Sequence, residues 1–249
     1  MEGVAYEQFL NLERDHWWFI GRRRSYFRIL EHRLARKNGL AILDVGCGVG
    51  GMLPELARLG TPVGIDADAG SIAICKRRGF TDCKVASGTT LPIESGTQDL
   101  VTLFDTIEHV DDDVGALREA HRVLKRGGTV FISVPAYQFL YSNNDKVAHH
   151  ERRYTKGGLK RRVREAGFEV VHATYVNVVL FPLILPAVLL LKLKEALFPK
   201  PDDTRTNLSH TPAPIVNRTL AAIFGGEGHV LKSISAPFGH SLVLVGRKP

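Results

Sequence analysis

Short apolar runs alternate along this chain with longer segments whose apolar positions recur at helical spacing. The apolar runs at residues 42–45, 61–66, 99–104 and 129–134 predict buried strands, and residues 82–86 predict a short further one. Apolar residues at helical spacing predict helices over residues 52–59, ending before Gly60, and over 71–78. A third helix is predicted to start at the acids of residues 111–113 and to stop at Gly127-Gly128. This alternation predicts a parallel, doubly wound α/β sheet.

The two flanks of this predicted core differ from it. Residues 1–40 predict one or two helices rich in aromatic and basic side chains. After the core come a basic helix over residues 156–167, a strand over 168–176 and a last strand over 241–246, with an insertion of about 60 residues before that last strand. We therefore expect an N-terminal helical cap (1–40), a core (41–176 with 230–249) and an apolar insertion or substrate cap (177–229).

A glycine loop follows the first predicted strand. Gly46-x-Gly48-x-x-Gly51, with Asp66 about 20 residues later at the end of the second strand, is the pattern of a βαβ unit that binds adenosine. The same loop also contains Gly46-x-Gly48-x-Gly50 preceded by Asp44. The loop alone indicates an adenosine and leaves open whether it belongs to a dinucleotide.

Further motifs narrow that choice. Six segments follow one another from the first predicted strand onward, in this order: Leu43-Asp44-Val45-Gly46-Cys47-Gly48-Val49-Gly50, Gly64-Ile65-Asp66, Leu91-Pro92, Gln98-Asp99-Leu100-Val101, Ile107-Glu108-His109-Val110 and residues 122–128. Their order and spacing, over roughly residues 40–135, resemble the motifs of class I S-adenosylmethionine-dependent methyltransferases. The resemblance implies a Rossmann-like sheet of seven strands with the last strand antiparallel, and S-adenosyl-L-methionine as cofactor.

The resemblance also implies residue roles. Asp66 would take both ribose hydroxyls, and Asp44 would support the amino group of the cofactor. Ser87 stands where many relatives carry an acid that contacts the adenine. The cofactor-binding residues implied are Arg22, Asp44, Gly46, Cys47, Gly48, Gly50, Asp66, Ala67, Ser87, Gly88 and Phe104.

Two segments outside the core are candidates for acceptor binding. The first is Trp17-Trp18-Phe19 with Arg22, and the second is His149-His150-Glu151-Arg152-Arg153-Tyr154. Both resemble elements of a subset of these enzymes found in bacterial surface-glycan and lipid-linked sugar biosynthesis. The resemblance makes His150, ahead of His149, the candidate general base, and Trp18, Arg152, Arg153 and Tyr154 the substrate contacts. Simple packing of the aromatics, and a solvated basic loop before a helix, remain alternatives. Glu108-His109 is expected to organise the following helix start.

The insertion begins with an apolar run of about 16 residues, 176–191, which is shorter than the roughly 20 residues that span a bilayer. Pro182 and Pro186 are expected to break this run, and Lys192, Lys194 and Lys200 follow it. Together with the net charge of +7, this pattern suggests peripheral membrane contact through residues 176–200. A cap over the substrate pocket or a dimer interface are the alternatives, and the oligomeric state stays open.

The three cysteines cannot form a disulfide framework, and their spacing fits no zinc site. The sequence therefore predicts a cytosolic protein, with contact at the inner membrane face as an extension, and no metal. The predicted activity is methyl transfer to an oxygen or nitrogen of a small-molecule or lipid-linked sugar acceptor, without nucleic acid as partner. A nucleic-acid methyltransferase, an NAD-dependent oxidoreductase and a non-catalytic cofactor-binding module are the alternatives.

Overall fold

A seven-stranded mixed sheet forms the centre of the molecule in the computed structural model, which describes residues 12–36, 38–197 and 211–249. The strand order is β3-β2-β1-β4-β5-β7-β6. Strands β1 to β5 run parallel, and β7 pairs antiparallel with both β5 and β6. The predicted sheet with an antiparallel last strand is confirmed. The strands are β1 (Leu40–Val45), β2 (Gly60–Asp66), β3 (Lys84–Val85), β4 (Gln98–Phe104), β5 (Leu124–Pro135), β6 (Glu169–Val176) and β7 (Ser241–Arg247).

Helices lie between most of these strands. The helices longer than one 3-10 turn are α1 (Trp17–Arg33), α2 (Leu53–Leu56), α3 (Ala69–Arg77), α4 (Asp113–Val123), α5 (Asn143–Val147), α6 (Lys156–Glu165), α7 (Phe181–Leu197) and α8 (Pro214–Leu231). The start of α4 is as predicted, because the side chain of Asp112 caps it by accepting from the Gly115 amide at 2.7 Å.

Two predicted helix ends are wrong. The helix expected over residues 52–59 is only α2, and Gly60 opens β2, where it pairs with Leu40. A Cβ at Gly60 would lie 2.0 Å from the Leu40 carbonyl oxygen, so the glycine serves this strand contact. Helix α4 ends at Val123, because Leu124 is already extended and starts β5, and Gly127 lies within that strand at φ +75°.

Helix α1 packs directly on the sheet. Tyr26, Ile29 and Leu30 are fully buried in the main core, and the Tyr26 ring stacks on that of Phe104 with centroids 6.3 Å apart. The predicted N-terminal helix is therefore part of the layer that covers the sheet. The first eleven residues of the predicted cap lie outside the described residues.

The insertion contributes two helices. Pro182 lies in the first turn of α7, where no helical amide bond is lost, and Pro186 lies inside the helix, so the expected break at these prolines does not occur. The second helix, α8, packs on α1, and the Trp17 amide donates to Asn217 Oδ1 at 2.7 Å. Residues 198–210, with Lys200, lie outside the described residues, and within the described part no helix meets the length and apolarity that a membrane crossing requires.

Small residues set the distance between α1 and α8. A Cβ at Gly21 would lie 2.7 Å from Phe224 Cβ, and one at Gly228 would lie 2.8 Å from the Ser25 backbone. Gly226, on the exposed side of α8, has nothing within 4 Å of its Cβ position. Glycines on the facing sides therefore allow the close approach of the two helices, and Gly226 takes no part in it.

Replacing one facing and one outward glycine tests this contact. We expect Gly21→Ala to lower the free energy of unfolding by about 1–3 kcal/mol, because Phe224 has no room to move. Gly226→Ala should raise it by up to about 1 kcal/mol, because alanine favours the helix and meets no neighbour. Urea denaturation measures both, and equal effects of the two substitutions would contradict the packing described.

Candidate functional site

The loop after β1 lies at the carboxyl edge of the sheet, against β2 and the segment that follows β4. The Gly46 amide donates to the Ile65 carbonyl at 2.7 Å, and Gly46 has φ +74°. A Cβ at this glycine would lie 2.4 Å from Thr106 Cγ2. Gly48 and Gly50 also have positive φ, at +53° and +82°. The loop therefore needs glycine for its conformation and, at residue 46, for its closeness to β4.

Asp66, at the end of β2, is joined to this loop. Its Oδ2 accepts from the Gly48 amide at 2.8 Å and its Oδ1 from the Asp68 amide at 2.9 Å. Each carboxylate oxygen can accept more than one hydrogen bond. The half-buried carboxylate can thus hold the loop and still accept from the hydroxyls of a ligand above it.

Asp44, near the end of β1, is buried at 1% exposure and accepts from Thr102 Oγ1 at 2.7 Å. Burial raises the pKa of Asp44 to about 7, against the lowering effect of the Thr102 hydrogen bond. A cationic group placed near Asp44 would favour its ionised form. This behaviour suits the predicted support of an amino group.

Arg22 brings α1 to the same edge. Its guanidinium forms an ion pair with Asp105, directly after β4, and lies 4.7 Å from the centroid of the Trp18 ring. Asp105 has φ +51° and accepts from Ser133 Oγ at 2.9 Å. The structure thus brings Arg22 and Trp18 together at the end of β4. Their contacts with cofactor and substrate stay predictions.

The remaining predicted cofactor residues occupy different surroundings. Ser87 and Gly88 form an exposed turn after β3, where Ser87 Oγ accepts from the Thr89 amide at 3.2 Å. Ala67 is exposed beside Asp66, and the Cys47 amide donates to the Ile65 carbonyl at 3.0 Å. The ring of Phe104 is 7% exposed and lies in the aromatic core, so it borders the site from below.

The segment between β5 and α6 is organised around Asp145. Its carboxylate accepts from His150 Nδ1 at 2.8 Å and from Arg153 Nε and Nη2 at 2.8 and 3.0 Å. Burial raises the pKa of Asp145, but these bonds outweigh it and hold that pKa well below its usual range. The Asp145 carboxylate orients the His150 ring through Nδ1, which leaves Nε2 as the nitrogen for proton transfer.

The other predicted residues of this segment fasten it to the protein. Arg152 Nη1 donates to the Val110 carbonyl at 2.9 Å, and the Tyr154 hydroxyl donates to Asp113 Oδ2 at 2.8 Å. His149 is exposed with φ +59°, and its carbonyl oxygen lies 3.1 Å from His109 Nδ1. These contacts position the segment, and binding of substrate by Arg152, Arg153 and Tyr154 stays a prediction.

Glu108 is the residue whose chemistry the sequence analysis missed. It is fully buried, and neither carboxylate oxygen has a hydrogen-bond partner among the described residues. Burial, and secondarily the charge of Asp105, raise its pKa well above the usual range, which favours the protonated form of the carboxyl group. The available signal was its place: a Glu-His pair directly after a buried strand.

Two histidines surround Glu108. One ligating atom each of Glu108, His109 and His150 lies within 4.8 Å of the others, and the two imidazole rings meet edge to face at 4.7 Å. Burial, and then the neighbouring His150, lower the pKa of His109. The cluster has the composition that transfers protons, and it also has a donor set that a divalent metal accepts.

Comparison with known proteins agrees with this geometry. Residues 43–132 match the family model described as a methyltransferase domain. A probable S-adenosylmethionine-dependent methyltransferase of Mycolicibacterium smegmatis is 29% identical over 165 residues, or 64% of this chain and 62% of that protein. A ubiquinone biosynthesis O-methyltransferase of Xanthomonas oryzae pv. oryzae is 39% identical over 103 residues, or 38% of this chain and 43% of that one. The chain thus spans less than two thirds of the length of these relatives.

Solved structures share the fold at low sequence identity. A possible histamine N-methyltransferase from Thermotoga maritima superposes with a TM-score of 0.61 at 18% identity, covering 99% of this chain and 96% of that one. A geranyl diphosphate methyltransferase in complex with S-adenosylmethionine superposes with a TM-score of 0.59 at 16% identity, over 90% and 84%. Residues 43–132 therefore match a methyltransferase domain, and the described chain shares its fold with these solved methyltransferase structures.

Proposed function

We propose that this protein transfers a methyl group from S-adenosylmethionine to an oxygen or nitrogen of a lipid-linked sugar or a related small molecule. The observation that carries the proposal is the joined pair of Asp66 and the Gly46–Gly48 loop, at the edge where the parallel strands end. The acceptor class rests on the segments around Trp18 and His150 and on the apolar insertion. The segments around Trp18 and His150 supply basic and aromatic groups, and the insertion supplies apolar surface.

The residues present fit this cofactor. Asp66 would accept from the two ribose hydroxyls, and Asp44 would face the amino group, whose charge favours ionisation of that buried acid. Ser87, in the exposed segment after β3, would offer its hydroxyl to the adenine. When bound, the cofactor supplies a methyl group on a sulfonium, an electrophile that needs no activation by the protein.

The protein's contribution is then alignment of the acceptor and removal of its proton. His150 would accept that proton at Nε2, because its Nδ1–H donates a hydrogen bond to the Asp145 carboxylate. This bond also fixes the orientation of the imidazole ring. Glu108, whose raised pKa favours the protonated form, would donate a hydrogen bond to an acceptor oxygen. These groups lie at the end of β4, where an acceptor could approach the sulfonium in line.

Removal of the Asp66 carboxylate tests cofactor binding. We expect Asp66→Ala to lower the affinity for S-adenosylhomocysteine at least about 100-fold, because two charge-assisted hydrogen bonds of about 1.5–3 kcal/mol each are lost. Glu94→Ala, which removes an exposed carboxylate, should leave the affinity unchanged. Isothermal titration calorimetry measures both. Near-native affinity of Asp66→Ala, or tighter binding of NAD than of S-adenosylhomocysteine by the native protein, would refute the proposal.

The two adjacent histidines provide a matched test of the base. His150→Gln should lower kcat by about 10²–10⁴ and leave the affinity for S-adenosylhomocysteine unchanged, because only proton transfer is lost. His149→Gln, at an exposed side chain, should retain kcat. Release of S-adenosylhomocysteine with a lipid-linked sugar fraction as acceptor is the measurement.

We also expect turnover to persist in excess chelator. A loss of turnover that Mg²⁺ restores would assign the cluster of Glu108, His109 and His150 to a metal instead.

Helix α7 carries the surface that would meet a lipid. Leu183, Leu190 and Leu197 recur every seven residues, so they share one helix face, and they are 71%, 66% and 63% exposed. Lys192 and Lys194 lie on the same helix. Apolar side chains beside lysines suit one leaflet of an anionic membrane, and we include such contact, at the cytosolic face, in the proposal.

Introducing negative charge on this helix face tests membrane contact. The native protein should co-sediment with vesicles of anionic phospholipid, and the double substitution Leu183→Glu with Leu190→Glu should abolish this, because two carboxylates would enter the apolar layer. Val85→Glu, at an exposed apolar residue of β3, is the control and should still co-sediment. Equal vesicle binding by all three proteins would remove membrane contact from the proposal.

A further inference from the structure

All three cysteines of the chain lie in one place. Cys47 is in the loop after β1, Cys75 is on α3, and Cys83 precedes β3. Their sulfur atoms all lie within 4.8 Å of one another, and the three residues are buried. Residues from three separate segments of the chain therefore meet in a single sulfur cluster.

Glycines make the room for these sulfurs. A Cβ at Gly64 of β2 would lie 2.7 Å from Cys47 Sγ and 2.8 Å from Cys83 Sγ, and one at Gly50 would lie 3.0 Å from Cys75 Sγ. The Cys75 thiol donates to the Gly48 carbonyl at 3.3 Å. The cluster thus packs directly beneath the glycine loop and supplies one of its hydrogen bonds.

The distances between the three sulfur atoms suit ligands of one metal ion. Thiolates bind zinc and related ions at about 2.3 Å, which places the sulfurs of one site about 4 Å apart. Three thiolates around a divalent ion carry one net negative charge. Arg78 lies beside the cluster, since the Cβ position of Gly50 is 3.7 Å from Arg78 Nη1 as well as 3.0 Å from Cys75 Sγ. Arg78 is exposed overall, but its guanidinium lies close enough to offset part of that charge.

We propose that Cys47, Cys75 and Cys83 form a binding site for one soft metal ion, such as Zn²⁺ or Cd²⁺, and that its occupancy weakens cofactor binding. Each thiol releases its proton to solvent as the metal–sulfur bond forms, so three protons leave for one divalent ion. Cys75 then no longer donates to Gly48, and Cys47 is drawn toward the metal. Both changes act on the loop that holds the cofactor, and this coupling rests on the proposed function.

Cadmium titration of the reduced full chain tests the site. We expect ultraviolet absorbance from sulfur-to-cadmium charge transfer that saturates at one ion per chain. Cys83→Ser, which lies outside the glycine loop, should weaken Cd²⁺ binding at least tenfold and lower the absorbance. His109→Gln should leave both unchanged, because the histidine cluster is not involved. No absorbance in the native protein, or the same absorbance in Cys83→Ser, would overturn the site.

Cofactor affinity separates the coupling from the site. Calorimetry should show that Cd²⁺ lowers the affinity for S-adenosylhomocysteine at least tenfold in the native protein and has no such effect in Cys83→Ser. An unchanged affinity in the loaded native protein would overturn the coupling. Failure of the metal-free native protein to bind S-adenosylhomocysteine would refute the proposed function instead, while the absorbance still reports on the site. A mass loss of two hydrogens in air without metal binding would assign the cluster to a disulfide and overturn the proposal.

Discussion

The close approach of the loop after β1 to the segment after β4 is the constraint on which the site depends. Gly46 leaves no space for a side chain against Thr106, and the Thr106 hydroxyl donates to the Val45 carbonyl at 2.9 Å. The last peptide of β1 and the first turn after β4 are therefore fixed relative to each other. Asp66 extends this fixed unit to β2 through the Gly48 amide. Whatever the glycine loop holds thus lies at a set distance from Asp105 and Glu108.

The buried acids near this edge fall into two kinds. Asp145 and Asp113 each accept from arginines, which compensates the cost of burying a carboxylate and joins separate segments of the chain. Glu108 receives no such hydrogen bond among the described residues, and burial raises its pKa well above the usual range. The first kind fixes the protein's own geometry. The second leaves the hydrogen-bonding capacity of the Glu108 carboxyl group unused within the described part of the chain.

The sequence predicted the strands, their parallel order and the glycine loop well, because local apolar runs and glycine positions determine them. Helix ends were less predictable, since Gly60 and Gly127 resemble helix stops but belong to strands whose pairing is set by distant residues. Pairing between segments far apart was not visible at all. Arg22 with Asp105, Asp145 with His150 and the meeting of the three cysteines depend on tertiary packing, and no local pattern encodes it. For the same reason the burial of Glu108 and its raised pKa could be recognised only from the fold.

The position of β7 between β5 and β6 bears on how the chain folds during synthesis. About 60 residues separate β6 from β7, and β6 has no partner in the sheet other than β7. At about 5–20 residues per second, β6 therefore waits several seconds on the ribosome with an unpaired edge. The five parallel strands can pair with one another earlier, because all five precede β6, and only the edge of β5 then still lacks its partner β7. The order of synthesis thus separates the five parallel strands, which carry the glycine loop and Asp66, from β6, which can join the sheet only through β7.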